Sequence, residues 1–446
     1  MGTLSREEVV SWPAPDRAEA RSGAALREAL ARHGLLSPAQ VAGRNWPVGC
    51  VSLEITQRCN LDCTLCYLSD ISEAVHDLPL AEVFRRIDMI ADHYGPGTNV
   101  QISGGDPTLR RRDELVAITR RIARRGMTPA LFTNGIKASR DLLAALRKAG
   151  LCDVAFHVDL TQERKGYKSE TALNTLREDY IARAKGLGLR IMFNTTVFDG
   201  NWAEMEGLAR FFIAHAREVN LASFQLQAET GRGVLGARGE GVTQEGMMAA
   251  LERAAGCRLD FDMPLVGHPH CNRYTGLWVA GGRAHPVFDD AALFADLFAA
   301  SADTQGLWRR RRTAAAIAAT LCRHPFVIPR LLVYAARKLW RMRRDLKCGR
   351  PSKLSFFIHN FMDAEGVDRA RCESCVFMAA GRDGPVSMCV YNARREGEIT
   401  APIAAGDRQW NPLNGAYGAD GTITADDLPV KRLKGRLRAA AYAARR

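Results

Sequence analysis

The chain has 446 residues, 47% hydrophobic and 25% charged, which excludes global disorder, a collagen-like repeat and a coiled-coil rod. That length exceeds the ~250–300 residues at which a single core stops growing, so one large domain with appendages is expected. The net charge of +13 is uneven: Gln305 to Arg350 holds thirteen Lys/Arg against Asp345, Lys431 to Arg446 holds seven and no acid, and these two segments together carry +19, leaving −6 elsewhere.

No apolar run reaches the ~18–20 residues of a spanning helix. The acidic start, Met1 to Glu8, lacks the basic and apolar pattern of a secretory leader, so a cytoplasmic location is expected. Thiols stay reduced there, and twelve cysteines point to metal or cluster binding rather than to a disulfide framework.

In chain order, residues 1–46 form a polar lead-in, helix-prone from Arg17 to Leu36 and ending in the loop Asn45-Trp-Pro. Short β-type runs follow at Val51–Thr56, Asn99–Ser103, Ala130–Thr133, Val154–Val158, Ile191–Val197 and Ala222–Leu226. Between them lie stretches of helical period, such as Leu80 to Ala91 and Leu142 to Gly150. Six alternations predict an α/β fold, a partial parallel (β/α)6 barrel with its chemistry at the C-terminal strand ends.

Thr56-Gln-Arg-Cys59-Asn-Leu-Asp-Cys63-Thr-Leu-Cys66-Tyr67 follows the first run. Three cysteines at this spacing can converge from one loop onto three irons, leaving a fourth iron without a local ligand. A zinc knuckle with a distant fourth ligand is the alternative. The second run ends in Ser103-Gly104-Gly105-Asp106-Pro107, a turn whose glycines let the backbone approach a ligand.

Together these motifs resemble the radical S-adenosylmethionine (SAM) superfamily over about Val51 to Arg232. In that family Cys-x3-Cys-x2-Cys binds a 4Fe-4S cluster, an aromatic residue neighbours the last cysteine, and the open iron chelates SAM. Electron transfer then cleaves SAM to a 5′-deoxyadenosyl radical. The resemblance makes Cys59, Cys63 and Cys66 the cluster ligands and places Tyr67, Gly104, Gly105, Asp106 and Pro107 around SAM, with Asp106 standing where the family usually has Glu. It further implies SAM contacts from polar strand-end residues, here Asn134, Asp159 and Asn194, and an external electron donor such as flavodoxin or ferredoxin. No catalytic residue beyond these binding groups is identifiable.

A second cysteine group lies downstream: Cys271 in His268-Pro-His270-Cys271, the pair Cys372-Glu-Ser-Cys375, and Cys389 in Met388-Cys-Val-Tyr391-Asn392. These can ligate a second 4Fe-4S cluster, with a four-thiolate zinc site as the alternative. Cys348 is a further candidate, while Cys50, Cys152, Cys257 and Cys322 read as buried inert thiols. With Phe361-Met-Asp363, this half resembles the tetraether lipid synthase group of radical SAM enzymes, which use an auxiliary cluster while modifying lipid hydrocarbon chains. No cobalamin-binding domain is evident.

The expected units are thus the lead-in, a core barrel over 47–240, its completion with Cys271 over 241–304, a basic helical insert over 305–350, an auxiliary-cluster module over 351–400 and a basic tail over 401–446. In the insert, Leu331, Leu332, Ala335, Leu339 and Met342 can share a helix face, with Arg330, Arg337, Lys338, Arg341 and Arg344 beside or opposite it. That pattern suits an anionic membrane surface and disfavours nucleic acid as partner. The combined reading is hydrogen abstraction from a lipid or long hydrocarbon, with peripheral attachment to the inner membrane face. Peptide modification, radical methylation of a small molecule and a non-enzymatic iron-sulfur or zinc module remain the alternatives.

Overall fold

A computed structural model describes residues 2–232, 239–302, 318–405 and 408–417. All six expected runs form strands: β1 Cys50–Thr56, β2 Asn99–Gly104, β3 Thr128–Thr133, β4 Asp153–His157, β5 Arg190–Val197 and β6 Val219–Leu226. They pair in parallel and in sequence order. In β1, Val51, Leu53 and Ile55 are buried in one core with Val83, Ile87 and Ile90 of the helix Leu80–Tyr94. Strand alternation therefore turns Cys50, Ser52, Glu54 and Thr56 to the inner face.

The sheet does not end with these six. Strand β7 Asn272–Ala280 runs into β8 Arg283–Pro286, and the downstream β9 Ser352–Asn360, β10 Phe377–Ala380 and β11 Pro385–Ser387 complete an eleven-stranded sheet in the order β11-β10-β1-β2-β3-β4-β5-β6-β9-β7-β8. Both β9 beside β6 and β10 beside β1 are parallel to their neighbours. The segment read as an auxiliary module thus supplies strands to both flanks of the core sheet. The two flanks also meet, because the His359 ring of β9 stacks on Phe357 at 4.1 Å and contacts Phe377 of β10 at 4.6 Å. An aromatic seam fills the gap where β9 and β10 do not pair.

The lead-in is three short helices, Arg6–Ser11, Arg17–Ser22 and Ala24–Arg32. Leu4 and Val9 join Met362, Val367, Cys372, Cys389, Val390 and Tyr391 in a second, smaller core. Arg394 seals this junction by donating to the carbonyls of Val9, Val10 and Trp12.

The insert is described from residue 318, so Trp308 to Arg312 lies outside the described residues. Of the expected apolar face of its helix Val327–Met342, Leu332, Ala335 and Leu339 are exposed, and Met342 turns inward. Lys338 is also buried. Arg337, Lys338 and Arg341 pair with Asp289 or Asp290, and Arg330 with Asp296. Those acids lie in a preceding segment whose proximity no helical period can reveal. Residues 418–446 of the basic tail are also outside the described residues, and among those described no helix is long and apolar enough to cross a membrane.

One buried pair ties the C-terminal helices to the central sheet. Glu54 of β1 accepts from Arg395 at 2.8 Å, from Gln57 at 2.9 Å and from Tyr391 at 3.3 Å. Removing one partner leaves an uncompensated buried charge, so Arg395→Ala should cost about 3–5 kcal/mol. The joint replacement Glu54→Gln with Arg395→Met should cost less than that single change. Denaturant unfolding of the two variants beside the parent checks the order.

Candidate active site

The loop after β1 carries Cys59, Cys63 and Cys66, all half-buried and none in a disulfide. Burial pushes the Cys63 thiol well above its ordinary value, and the neighbouring Cys66 and Cys59 push it further. A thiol so desolvated, with two others beside it, becomes a thiolate only next to a strong positive centre, which the irons of a cluster would supply. The loop is fixed at both ends: the Arg58 guanidinium grips Asp77 at 2.5 Å, and Thr64 N donates to Thr161 O at 2.8 Å. Among the described residues no three His, Cys, Asp or Glu side chains gather on a single ion site.

Gly104 and Gly105 press against this loop. A Cβ on Gly104, whose φ is +125°, would lie 2.0 Å from Thr56 O, and one on Gly105 would lie 2.0 Å from Arg58 O. Only glycine fits at that distance. Gly105 N and Asp106 N donate to the same two carbonyls, at 2.9 and 2.8 Å. Tyr67 OH donates to Gly104 O at 2.6 Å, so the aromatic residue clamps the turn to the cysteine loop.

Asp106 behaves differently from its assigned role. Its buried carboxylate accepts from Thr108 N at 2.9 Å, Thr133 Oγ1 at 2.8 Å and Asn134 N at 2.8 Å. It fastens the end of β2 to the end of β3, and Pro107 starts the short helical turn Pro107–Leu109.

Asn134 reaches the cysteine loop, its Nδ2 donating to Asn60 Oδ1 at 2.7 Å and lying 3.9 Å from Cys59 Sγ. Asp159, by contrast, is fully buried and accepts from His157 at 2.6 Å, Thr196 N at 2.7 Å and Thr161 N at 3.0 Å. Burial opposes its ionisation, but the His157 charge and these hydrogen bonds outweigh that cost and hold the carboxyl down to about 2. The group left half-exposed on the inner face is the His157 imidazole, with Asn194 Nδ2 3.5 Å away and the same amide 3.4 Å from Gln225 Oε1. A polar row thus crosses the ends of β4, β5 and β6, with Asp159 as its buried support.

Folding also gathers the second cysteine group. Burial raises the Cys372 and Cys389 thiols, and Cys375 and Cys271 act on both. Cys271 is pushed up to about 11 by burial, against the pull of Arg371, whose Nε lies 3.1 Å from its Sγ. Cys375 donates to Phe377 O at 3.0 Å. All four thiols therefore share one desolvated neighbourhood. Cys348 is exposed and lies against Gly281 in the β7–β8 turn, the opposite end of β7 from Cys271. Cys50 is buried beside Cys375, whereas Cys322, expected buried, is exposed.

Sequence reasoning missed Arg395, His157 and Glu54. Arg395 stacks over the Tyr67 ring at 4.6 Å, yet it follows another arginine in a short helix and carries no local mark. His157 was legible as a polar residue ending a β-run, one strand-alternation step from Asp159.

Residues 53–212 match the family model "Radical SAM superfamily", so this stretch is a radical SAM domain, and a 4Fe-4S cluster and SAM are the cofactors the family implies. The chain is similar to three curated enzymes. It is 28% identical to a 7,8-dihydro-6-hydroxymethylpterin dimethyltransferase of Methanocaldococcus jannaschii, over 41% of this chain and 37% of the relative. It is 32% identical to a probable GTP 3′,8-cyclase of Pyrococcus abyssi, over 37% and 53% respectively. It is 30% identical to a PqqA peptide cyclase of Methylorubrum populi, over 38% and 44%. The chain spans about half or less of the length of each.

Asp159→Asn should lower stability by about 1–3 kcal/mol near neutral pH by stripping charged acceptance from buried donors. A carboxyl depressed to about 2 contributes above its unfolded value near 4 and loses that contribution as it protonates. The gap between variant and parent should therefore narrow as pH falls from about 4 toward about 2, as urea midpoints across that range would show.

Proposed function

We propose that this protein reductively cleaves SAM and abstracts hydrogen from an unactivated carbon, with a lipid or long hydrocarbon as substrate. The observation that carries the chemistry is the close backbone contact between Gly104-Gly105 and the loop that carries Cys59, Cys63 and Cys66, with the Cys63 thiol desolvated beside the other two. Cys59, Cys63 and Cys66 would hold the cluster, which together with SAM supplies the 5′-deoxyadenosyl radical. Tyr67 and Arg395 would steady the loop, Gly104 and Gly105 would receive SAM along their backbone, and Asn134, Asn194 and His157 would orient its polar groups, with Asp106 and Asp159 holding the strand ends. An external donor such as flavodoxin or ferredoxin would deliver the electron. Cys271, Cys372, Cys375 and Cys389 would hold a second 4Fe-4S cluster.

The lipid reading draws on the likeness of the C-terminal half to the tetraether lipid synthase group and on the apolar, cation-flanked helix Val327–Met342. It brings with it peripheral attachment to an anionic membrane. Peptide modification is the second reading, favoured by the polar row His157, Asn194 and Gln225 on the inner face, which offers partners to a substrate rich in amides.

Anaerobically reconstituted protein with a strong reductant should form 5′-deoxyadenosine, and Cys59→Ala/Cys63→Ala/Cys66→Ala should not; undiminished product in that variant sinks the assignment. Iron analysis should give about eight irons per chain, falling to about four when the three loop cysteines are replaced and also when Cys271, Cys375 and Cys389 are. About four irons plus one zinc in the parent would instead mark the second group as a structural zinc site. Comparative lipidomics of a deletion strain decides between the two substrate classes.

A further inference from the structure

The helix Val327–Met342 sits in the fold with its polarity reversed. Its protein-facing side is cationic: Lys338 pairs with Asp289 at 2.7 Å, Arg341 with Asp289 at 2.8 Å, Arg337 with Asp290 at 3.2 Å, and Arg330 with Asp296. Tyr334 OH locks the same side by donating to Val287 O at 2.6 Å. The outward side is apolar, with Leu332 65%, Val333 66%, Leu339 61% and Trp340 67% exposed, and Phe326 and Ile328 continue it at the N-terminal end. These six account for most of the nine large hydrophobic residues exposed among the described residues, so the patch is a local concentration. Ile328, Leu332 and Leu339, with Val333 and Trp340, fall at spacings that align along one stripe. A contiguous patch of this kind marks a contact surface.

We propose that this stripe inserts into the boundary between headgroups and acyl chains of a membrane containing anionic lipid. The inference deepens the membrane reading given above and rests on it for the partner; what it adds is the surface, its orientation and the source of the affinity. The flanking cations identify lipid as the occupant. Arg323 precedes the helix and Arg343, Arg344, Lys347 and Arg350 follow it, all exposed, while the one acid in residues 318–350, Asp345, is held by His285 at 3.0 Å. An apolar stripe flanked at both ends by exposed cations complements anionic headgroups over an acyl layer. Trp340 lies at the edge of the stripe with the Arg343 guanidinium 4.0 Å over its ring, the pairing of amphipathic ring and cation that suits the headgroup level. Because four of the helix cations are already matched by acids of the same chain, the flanking cations supply selectivity for lipid charge, and apolar burial supplies most of the binding.

The test is co-sedimentation of the full-length protein with phosphatidylcholine vesicles, with and without phosphatidylglycerol, at low and high salt. Leu332→Ser/Val333→Ser/Leu339→Ser/Trp340→Ser alters exposed positions only and should weaken partitioning about tenfold or more on the anionic vesicles at either salt. Arg343→Gln/Arg344→Gln/Lys347→Gln should lose the preference for phosphatidylglycerol while keeping much of its binding. Both variants should cleave SAM as the parent does, with unchanged unfolding midpoints. A parent that binds neither vesicle overturns the inference together with the membrane reading. Parent-like partitioning of the stripe variant overturns insertion alone and leaves attachment to the charge. Self-association that the stripe variant abolishes, without vesicle binding by the parent, assigns the stripe to a second copy of the chain and also overturns it.

Discussion

The buried pair between Glu54 and Arg395 joins the parts of this molecule that the chemistry needs together. Glu54 lies on the inner face of β1, the strand that launches the cysteine loop, and Arg395 starts a helix more than three hundred residues later. Neither group can be charged there alone, since desolvating a single ion costs far more than a protein can recover from packing. The C-terminal helices are consequently held on β1, and the arginine that holds them also covers the Tyr67 ring, whose hydroxyl fixes Gly104. Through the Tyr391 hydroxyl the same carboxylate also holds the short helix Met388–Ala393, which carries Cys389. One ion pair thus joins the strand that launches the cysteine loop to the helix that carries Cys389.

Around this frame the buried polar side chains mostly act on protein. Asp106 and Asp159 bind the ends of adjacent strands through backbone amides and threonine hydroxyls. The side chains left half-exposed on the inner face are the row His157, Asn194 and Gln225. A carboxylate at a strand end is a strong sequence signal for ligand binding, but a buried carboxylate first satisfies nearby N–H and O–H donors.

The basic insert obeys the same rule with the opposite outcome. Four cations of its helix, Arg330, Arg337, Lys338 and Arg341, were matched by Asp289, Asp290 and Asp296, and those pairs turn the apolar side outward. Charge density read along the chain measured how many cations were present and could not measure how many were already neutralised.

By itself the sequence determined the six parallel strands, because alternation and crossover-helix periodicity are local, and it determined the cysteine loop with its glycine turn, because ligand spacing and the need for glycine at close backbone approach are written in adjacent residues. It also marked Cys271, Cys372, Cys375 and Cys389 as a group by their spacing. Tertiary structure alone decided that β9 and β10 extend the sheet on opposite flanks, that Cys348 lies at the other end of β7 from Cys271, that His157 rather than Asp159 is exposed, and that Arg395 packs against Tyr67 beside the cysteine loop. The physical reason is common to all four: each depends on which distant groups share a desolvated space, and burial sets that pairing through the whole chain's packing rather than through any period within a segment.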